Sequence, residues 1–477
     1  MSRAQQLRAG AFYILAGQGA GQLLGIARNF VVARLISPFD FGVAAAIAAT
    51  LSVLELASDA AWDKLIIQAS DGDDPALQAV CHSLMIIRGI ILSVLLFAVA
   101  PFIATFFSVS EATSTFQCLA IAPLVRGFAH LDVKRFQRDL KFRADTDVVV
   151  LGQLLGVVVA IFAAYWLGDY RAMLAAILAQ SLMLTLGAHY KAERPYRLAW
   201  GKVAIMRSMT FGWPLMLNGV VIVIAGQLDR FLVGGMLGVE QLALYAVAVM
   251  LISSPMLVVT KVVGALALPV LSKAQSDQSE FVVAYRSVGT FVFLSALAMF
   301  LPLGILGADL VTLIFGAAYA GPIQLVPWLV LGLGVRFIRG WPIVASLARG
   351  DTKNVLIVNL VRILGVVAGF VAIKMGAGIV GLAASLALGE LFSFVAGIVR
   401  QNMKSNMHMA AGADLLIIFL ICCSMPIFLA EPLANITVAG SVGAAVLITM
   451  ISVAAMLLIS RDSRNVMLSL IGKAIRP

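Results

Sequence analysis

The sequence predicts an all-α polytopic membrane protein with about 14 transmembrane helices. Of its 477 residues, 61% are hydrophobic and only 12% are charged, whereas soluble globular domains carry roughly 45–50% apolar and about 25% charged residues. The mean hydropathy of +1.01 applies to the whole chain, so the apolar residues are not confined to a single anchor, which needs about 20 of them. This composition excludes an ordinary soluble enzyme.

Long apolar runs bounded by charged or turn residues are typical of membrane helices. The predicted spans are 10–33, 41–67, 80–107, 115–133, 146–168, 171–190, 208–229, 241–270, 287–315, 322–346, 354–373, 378–399, 412–430 and 437–460. These runs lack the alternation of apolar and polar residues that is expected of membrane β-strands. The first run has no small-residue cleavage site, so we interpret it as a membrane helix and not as a signal peptide.

The distribution of Lys and Arg predicts the orientation of the chain. Most basic residues outside the spans fall in alternate connections, above all in 134–143 and 191–207. Cytoplasmic loops retain positive charge, so both termini are predicted to lie in the cytoplasm. The formal net charge of +10 then follows mainly from topology and from contact with anionic headgroups, and we expect no nucleic-acid partner.

An internal repeat predicts two six-helix lobes with two helices appended. The paired segments are FVVARLI (30–36) with FLVGGML (231–237), PFI (101–103) with PLG (302–304), and RDLK (138–141) with GDTK (350–353). Their shared order predicts an N-terminal lobe at 1–206, a second lobe at 207–410, and a last part at 411–477 with spans thirteen and fourteen and a cytoplasmic tail. Parallel repeats of this kind are typical of transporters that move around a central site.

Basic residues deep inside the predicted spans are the main functional signal. Each costs at least about 2.5–3.5 kcal/mol at the centre of a membrane helix, so such residues usually face a cavity or a partner. At about 1.5 Å per residue, five of them lie about 10–16 Å from the cytoplasmic end of their spans: Arg88, Arg126, Lys261, Arg336 and Arg362. Arg28 lies toward the outer mouth and Arg339 toward the inner one. Converging helices would turn these residues into a cationic cavity suited to a pyrophosphate, since guanidinium groups bind phosphate bidentately.

Pairing of these cations with buried carboxylates is the alternative that the residues leave open. Polar residues of the second predicted span share one helical face through i, i+3 and i+4 spacings: Ser52, Glu55, Asp59 and Asp63. Asp59 lies at the depth of Arg88, and an ion pair between them is expected. The deep carboxylates Glu55, Asp59 and Glu390 are fewer than the cations. They are candidates for coupling transport to a proton or sodium gradient, with helix-to-helix hydrogen bonding as the alternative.

Motifs for metal, nucleotide or covalent chemistry are missing from the sequence. The four histidines are scattered without metal spacing, and the four cysteines form neither a disulfide framework nor a metal pattern: His82, His130, His189 and His408, and Cys81, Cys118, Cys422 and Cys423. The chain also has no GxxxxGK[ST] loop. We therefore expect no metal, no cofactor and no ATP hydrolysis within this chain.

Four segments carry a resemblance to a known family. They are ARLISPFDFG (33–42), FQRDLKFR (136–143), LDRFLVGGMLG (228–238) and PVLSK (269–273). Together they resemble the signatures of bacterial polysaccharide transporters, the Wzx-type lipid-linked oligosaccharide flippases, in the superfamily that also contains the MATE multidrug antiporters. The resemblance runs from about residue 5 to 405.

The resemblance implies a flippase that moves a polyprenyl-pyrophosphate-linked oligosaccharide across the bacterial inner membrane by alternating access, for surface or exopolysaccharide synthesis. Implied partners are this substrate, membrane lipid and the polysaccharide polymerase machinery, and no catalytic residue is implied. A MATE-like antiporter of organic cations is an alternative, but it predicts an acidic and aromatic cavity. A membrane glycosyltransferase or polymerase is another, but it would need a larger loop than the predicted connections of up to roughly 20 residues.

Overall fold

A computed structural model of the chain describes residues 3–139, 141–349, 351–405, 413–434 and 437–459. Within these ranges every regular element is a helix. The α-helices are α1 (Arg3–Leu35), α2 (Pro38–Ala57), α3 (Trp62–Gln68), α4 (Pro75–Phe106), α5 (Thr113–Leu119), α6 (Ile121–Gly127), α7 (Asp132–Arg135), α8 (Arg143–Leu167), α9 (Arg171–Lys191), α10 (Lys202–Leu237), α11 (Val239–Lys273), α12 (Gln278–Phe315), α13 (Leu325–Ala348), α14 (Thr352–Lys374), α15 (Gly378–Ser405), α16 (Ala413–Ala434) and α17 (Val438–Ile459).

The all-α polytopic class is confirmed. In the described residues, twelve helices are long and apolar enough to cross a membrane, and each coincides with a predicted span. The span predicted at 10–33 lies in α1, which is not among the twelve. The span predicted at 115–133 consists of α5 and α6, seven residues each. Pro123 has no N–H to donate to the carbonyl of Leu119, where α5 ends. The predicted tail, 461–477, lies outside the described residues.

Helix starts follow from local sequence. Ser37 accepts a hydrogen bond from the amide of Asp40 (3.1 Å) at the start of α2, and Asp74 accepts one from Ala76 (2.9 Å) at the start of α4. Such side chains satisfy amides that have no partner within the helix. A proline follows both capping residues and favours the first helical position because its φ angle is already helical.

Contacts between Cα atoms divide the chain into two compact units, and the first is Met1–Ala243. In this unit, α8 packs against α1 and α9, α4 packs against α5 and α6, and α10 packs along α2. Gly219 allows this last approach, because a Cβ there would lie 2.1 Å from the carbonyl oxygen of Leu56. The lobe boundary predicted at 206/207 rests on the repeat and not on contacts, so it stays a prediction.

The second unit is Leu244–Pro477. Here α15 packs against α13 and α14, while α12 packs against α13, α16 and α17. Trp341 stacks on Tyr285 with ring centroids 4.1 Å apart and donates a hydrogen bond to its carbonyl (2.8 Å). Phe419 of α16 packs edge-on against Phe293, at 5.9 Å. The thirteenth predicted span therefore contributes to the core of this unit.

The second predicted span, 41–67, is broken into α2 and α3. Ala61 has a left-handed φ of 49°, and its amide donates to the carboxylate of Asp59 (3.0 Å). Aspartate side chains often take a nearby amide in this way and so compete with helix formation. The predicted single helical face is thus wrong beyond Ala57, since Asp59 lies in the break and Asp63 in the next helix.

Candidate functional site

A cavity of about 490 Å³ lies in the first unit, next to the break between α2 and α3. Its volume is in the range of small-molecule sites, about 300–1,000 Å³. Four predicted site residues line it: Glu55, Asp59, Arg88 and Arg126. The structure therefore brings together side chains from α2, the break, α4 and α6. We call this site the Glu55 cavity.

Arg126 and Glu55 form the strongest ion pair of the Glu55 cavity. Nη1 of Arg126 lies 2.6 Å from both carboxylate oxygens of Glu55, and its Nε donates to Ser181 Oγ at 2.9 Å. Both charged side chains are 28% exposed. The pair is thus held in one geometry while it remains accessible from the cavity.

Arg88 binds the end of α2 and not a carboxylate. Its Nη2 donates to the carbonyl of Glu55 (2.9 Å) and its Nε donates to Ser58 Oγ (3.1 Å). The last carbonyls of a helix have no partner within the helix, so Arg88 stabilises the break. The expected ion pair with Asp59 is not found among the described contacts, because Arg88 is committed to the helix end. Asp59 and Arg88 still line the same cavity.

The second unit contains a denser cluster around Glu390 of α15. Nε of Arg362 lies 2.6 Å from Glu390 Oε1, Nε of Arg339 lies 3.1 Å from Oε2, and Nε of Arg336 lies 3.9 Å from Oε1. The side chain of Glu390 is 7% exposed and that of Arg336 is 36% exposed. In the described contacts, three guanidinium groups thus surround one carboxylate. We call this group the Glu390 cluster.

Two predicted site residues lie outside both groups. Arg28 extends from α1 toward α9, where its Nη1 lies 3.5 Å from the side-chain oxygen of Gln180. Lys261 lies half-buried on α11. Convergence of the five predicted cations on one cavity stays a prediction.

Sequence reasoning missed several members of these sites. Arg339 was predicted near the inner mouth, yet it contacts Glu390. The spacing of Arg336 and Arg339, three residues apart on one helix, was the available signal, since i and i+3 share a face. Ser58 and Ser181 hold arginines and carry no pattern that distinguishes them from other serines of the spans.

The interpretation of the histidines as scattered is wrong for three of them. The ring centroid of His130 lies 4.9 Å from that of His82 and 5.2 Å from that of His189. They come from α4, from the turn after α6 and from α9, so their sequence separation hid the cluster. No group of side chains fit to hold a metal ion occurs in the described part of the chain, and His408 lies outside it.

Long apolar helices that enclose arginine and carboxylate groups define a polytopic membrane protein. Comparison with solved structures agrees with this class. The fold matches a lipid II flippase MurJ in an inward closed conformation, with a TM-score of 0.69 and 14% identity over 95% of this chain and 99% of the other. It also matches an inward-facing MATE multidrug transporter of the MOP superfamily, with a TM-score of 0.59 and 16% identity over 81% and 94%.

The family profile of polysaccharide biosynthesis proteins matches residues 31–324, so the chain belongs to that family. Its relatives include the teichuronic acid biosynthesis protein TuaB of Bacillus subtilis, 22% identical over 57% of this chain and 56% of the relative. Another is the amylovoran biosynthesis protein AmsL of Erwinia amylovora, 34% identical over 27% and 33%. The alignments thus span about half and a third of these relatives. The predicted family is confirmed.

Proposed function

We propose that the chain is a flippase that carries a polyprenyl-pyrophosphate-linked oligosaccharide across the bacterial inner membrane by alternating access, with both termini in the cytoplasm. The polar head enters a cationic site while the lipid tail stays in the bilayer. Membership of a polysaccharide biosynthesis family and a fold shared with a lipid II flippase support this proposal. Membrane lipid and a polysaccharide polymerase are the proposed partners.

The charge excess of the Glu390 cluster is the observation that carries the proposal. Three guanidinium groups lie within 3.9 Å of one carboxylate, and guanidinium groups brought together in this way favour an anionic ligand. Arg336 is the most exposed of the three and the most distant from Glu390. It is therefore the residue that we assign to the pyrophosphate, which guanidinium groups bind through paired hydrogen bonds.

Coupling to an ion gradient is part of the proposal, and we assign it to Asp59. Glu55 is bound by Arg126 and Glu390 by its arginines, so an ion that bound either carboxylate would have to break an ion pair. Asp59 lines the Glu55 cavity, and the one hydrogen bond described for its carboxylate comes from the amide of Ala61. Its charge is available to a proton or a sodium ion.

Binding of a polyprenyl pyrophosphate to the purified protein in lipid nanodiscs tests the anion site. We expect Arg336→Gln to weaken this binding about tenfold or more, since a hydrogen bond to a charged group contributes about 1.5–3 kcal/mol. Lys353→Gln, on the exposed first turn of α14, is the matched control and should bind as the unmodified protein does. Equal binding by the two variants would refute the assignment of Arg336.

The same assay separates the flippase from an organic-cation antiporter. A lipophilic cation such as tetraphenylphosphonium should not displace the pyrophosphate, because the Glu390 cluster carries more positive than negative charge. An uncharged polyprenol should bind more weakly than the pyrophosphate. Tight binding of the cation, with no preference for the pyrophosphate, would instead favour the antiporter.

A further inference from the structure

The ten residues between α9 and α10, 192–201, run without helical structure along the ends of α4 and α7. The amide of Ala199 donates to Ser83 Oγ at 3.1 Å. The amides of Glu193 and Arg194 donate to one carboxylate oxygen of Asp132, at 2.8 and 3.2 Å. We call this segment the strap. It is fixed by side chains of the helices beside it and not by its own secondary structure.

His82 binds the strap in one protonation state, the neutral imidazole with its proton on Nδ1. The amide of Leu131 lies 3.1 Å from Nε2 of His82, so this nitrogen accepts a hydrogen bond and carries no proton. Nδ1 must then carry the proton, and it donates to the carbonyl of Arg197 in the strap at 3.1 Å. Only the neutral imidazole has one donor and one acceptor nitrogen.

His130 repeats this arrangement with the nitrogens exchanged. The amide of Asp132 donates to Nδ1 of His130 at 3.1 Å, so Nε2 is the donor, and it bonds to the carbonyl of Arg194 in the strap at 3.0 Å. A second proton on His130 would bring an N–H against the Asp132 amide and remove a hydrogen bond. At both histidines the hydrogen bond lost on protonation comes from the turn at Leu131 and Asp132, while the bond to the strap carbonyl persists. Protonation therefore loosens this turn, and with it the Asp132 carboxylate that holds the strap amides.

The surrounding rings make two positive charges still less favourable. Tyr196 of the strap stacks on His82 with centroids 4.3 Å apart, and its centroid lies 5.4 Å from that of His130 and 4.9 Å from that of His189. Burial and the nearby His189 lower the pKa of His130. Burial also raises the pKa of Tyr196 to about 12, so the phenol stays neutral and offers no counter-charge.

The charged group that lies deepest beside the histidines is the carboxylate of Asp132. Asp132 is fully buried, and burial raises its pKa, but a hydrogen bond from Arg135 and the amides of Glu193 and Arg194 outweigh this, so the pKa is lowered overall. Arg135 also contacts Glu193 and Asp73, and Arg194 contacts Asp73. Arg197 contributes its carbonyl to His82. Asp132 thus stays charged while the histidines gain protons.

We propose that the neutral forms of His82 and His130 latch the turn at Leu131 and Asp132, and through the Asp132 carboxylate the strap, and that acidification below about pH 6.5 releases the strap. An imidazole has an ordinary pKa near 6.5. Because the docked state binds fewer protons than the released state, docking is fully favoured above this pH and weakens as the pH falls. On the proposed function, release of the strap frees the segment that leads from α9 into α10 when the cytoplasm acidifies.

Hydrogen–deuterium exchange of the strap in lipid nanodiscs tests the latch without any transport assay. We expect protection factors in 192–201, corrected for the intrinsic exchange rate, to fall by up to about tenfold for each histidine between pH 7.5 and 5.5. The turn between α8 and α9, which carries no histidine, should keep its protection. Unchanged protection of the strap across this range would overturn the proposal even if the chain is a flippase.

Variants assign the effect to particular rings. His82→Gln combined with His130→Gln should give exchange that no longer depends on pH. His189→Gln is the control, because Nε2 of His189 donates to the Phe128 carbonyl (2.8 Å) in the neutral and the charged state alike, so the pH dependence should persist. If the double variant does not fold, His130→Asn, which keeps an acceptor near the Asp132 amide, should show a reduced pH dependence. Full pH dependence in a folded double variant would overturn the latch.

Discussion

The Glu55 cavity and the Glu390 cluster place arginines beside carboxylates in different ways. In the Glu55 cavity, Arg88 and Arg126 are matched by Glu55 and Asp59, and the central pair is 28% exposed. In the Glu390 cluster, three arginines share one carboxylate that is 7% exposed. Of these two sites, the Glu390 cluster thus contains more cations than carboxylates, while the Glu55 cavity contains equal numbers.

This difference separates two tasks that the sequence assigned to one cavity. A site that is accessible to water can bind and release a small ion, because water compensates the change in charge. A buried site with excess positive charge attracts an anion, because buried charge is costly unless it is paired. Burial also makes the cluster depend on its single carboxylate, and this dependence gives the largest effect expected of a substitution here.

Glu390→Gln should destabilise the protein by about 3–5 kcal/mol, since removal of one partner leaves buried charges uncompensated. Denaturant titration in mixed micelles measures the free energy of unfolding. Glu280→Gln, in the exposed first turn of α12, is the matched control and should cost less than about 1 kcal/mol. Similar losses in both variants would show that Glu390 does not compensate the arginines.

Glu55→Gln should cost less, about 1–2 kcal/mol, because hydrogen bonds to charged groups contribute modestly where water can replace them. Arg126 keeps its bond to Ser181, and the cavity exposes its guanidinium to water. The same titration, compared directly with Glu390→Gln, measures the difference between the two sites. If the free energy of unfolding falls as much as it does in Glu390→Gln, then water has no more access to the Glu55 cavity than to the Glu390 cluster.

The helices were predictable because membrane spans are long and apolar, and the deep charged residues were predictable because they are rare in such spans. The partner of each deep charged residue was not predictable. Arg88 and Asp59 satisfy a depth argument, but the break at Ala61 gives Arg88 free carbonyls that compete for its donors. An estimate of depth from the rise per residue assumes an unbroken helix. The sequence around Ala61 contains no proline or glycine that would indicate a break there.

The cluster of three histidines was not predicted, for a related reason. Metal and catalytic patterns are recognised by spacing along the chain, whereas His82, His130 and His189 meet only because α4, the turn after α6 and α9 pack together. The proximity of Arg336 and Arg339 could have been predicted, because they share a helical face. Proximity between residues of different helices becomes visible only in the tertiary structure.

Asp59→Asn should have the smallest effect on stability and so isolates the role of charge. An asparagine side-chain oxygen can still accept the hydrogen bond from the Ala61 amide, so the free energy of unfolding should stay within about 0.5 kcal/mol of the unmodified protein. Flipping of a lipid-linked pyrophosphate in proteoliposomes, however, should no longer respond to an imposed pH or sodium gradient, because an amide carries no charge for either ion to neutralise. Asp63→Asn, four residues further along in α3 and outside the residues that line the Glu55 cavity, is the matched control and should retain the response. If Asp59→Asn flips substrate with the full gradient dependence, the balanced site is not the coupling site, and the division of tasks between the two units is wrong.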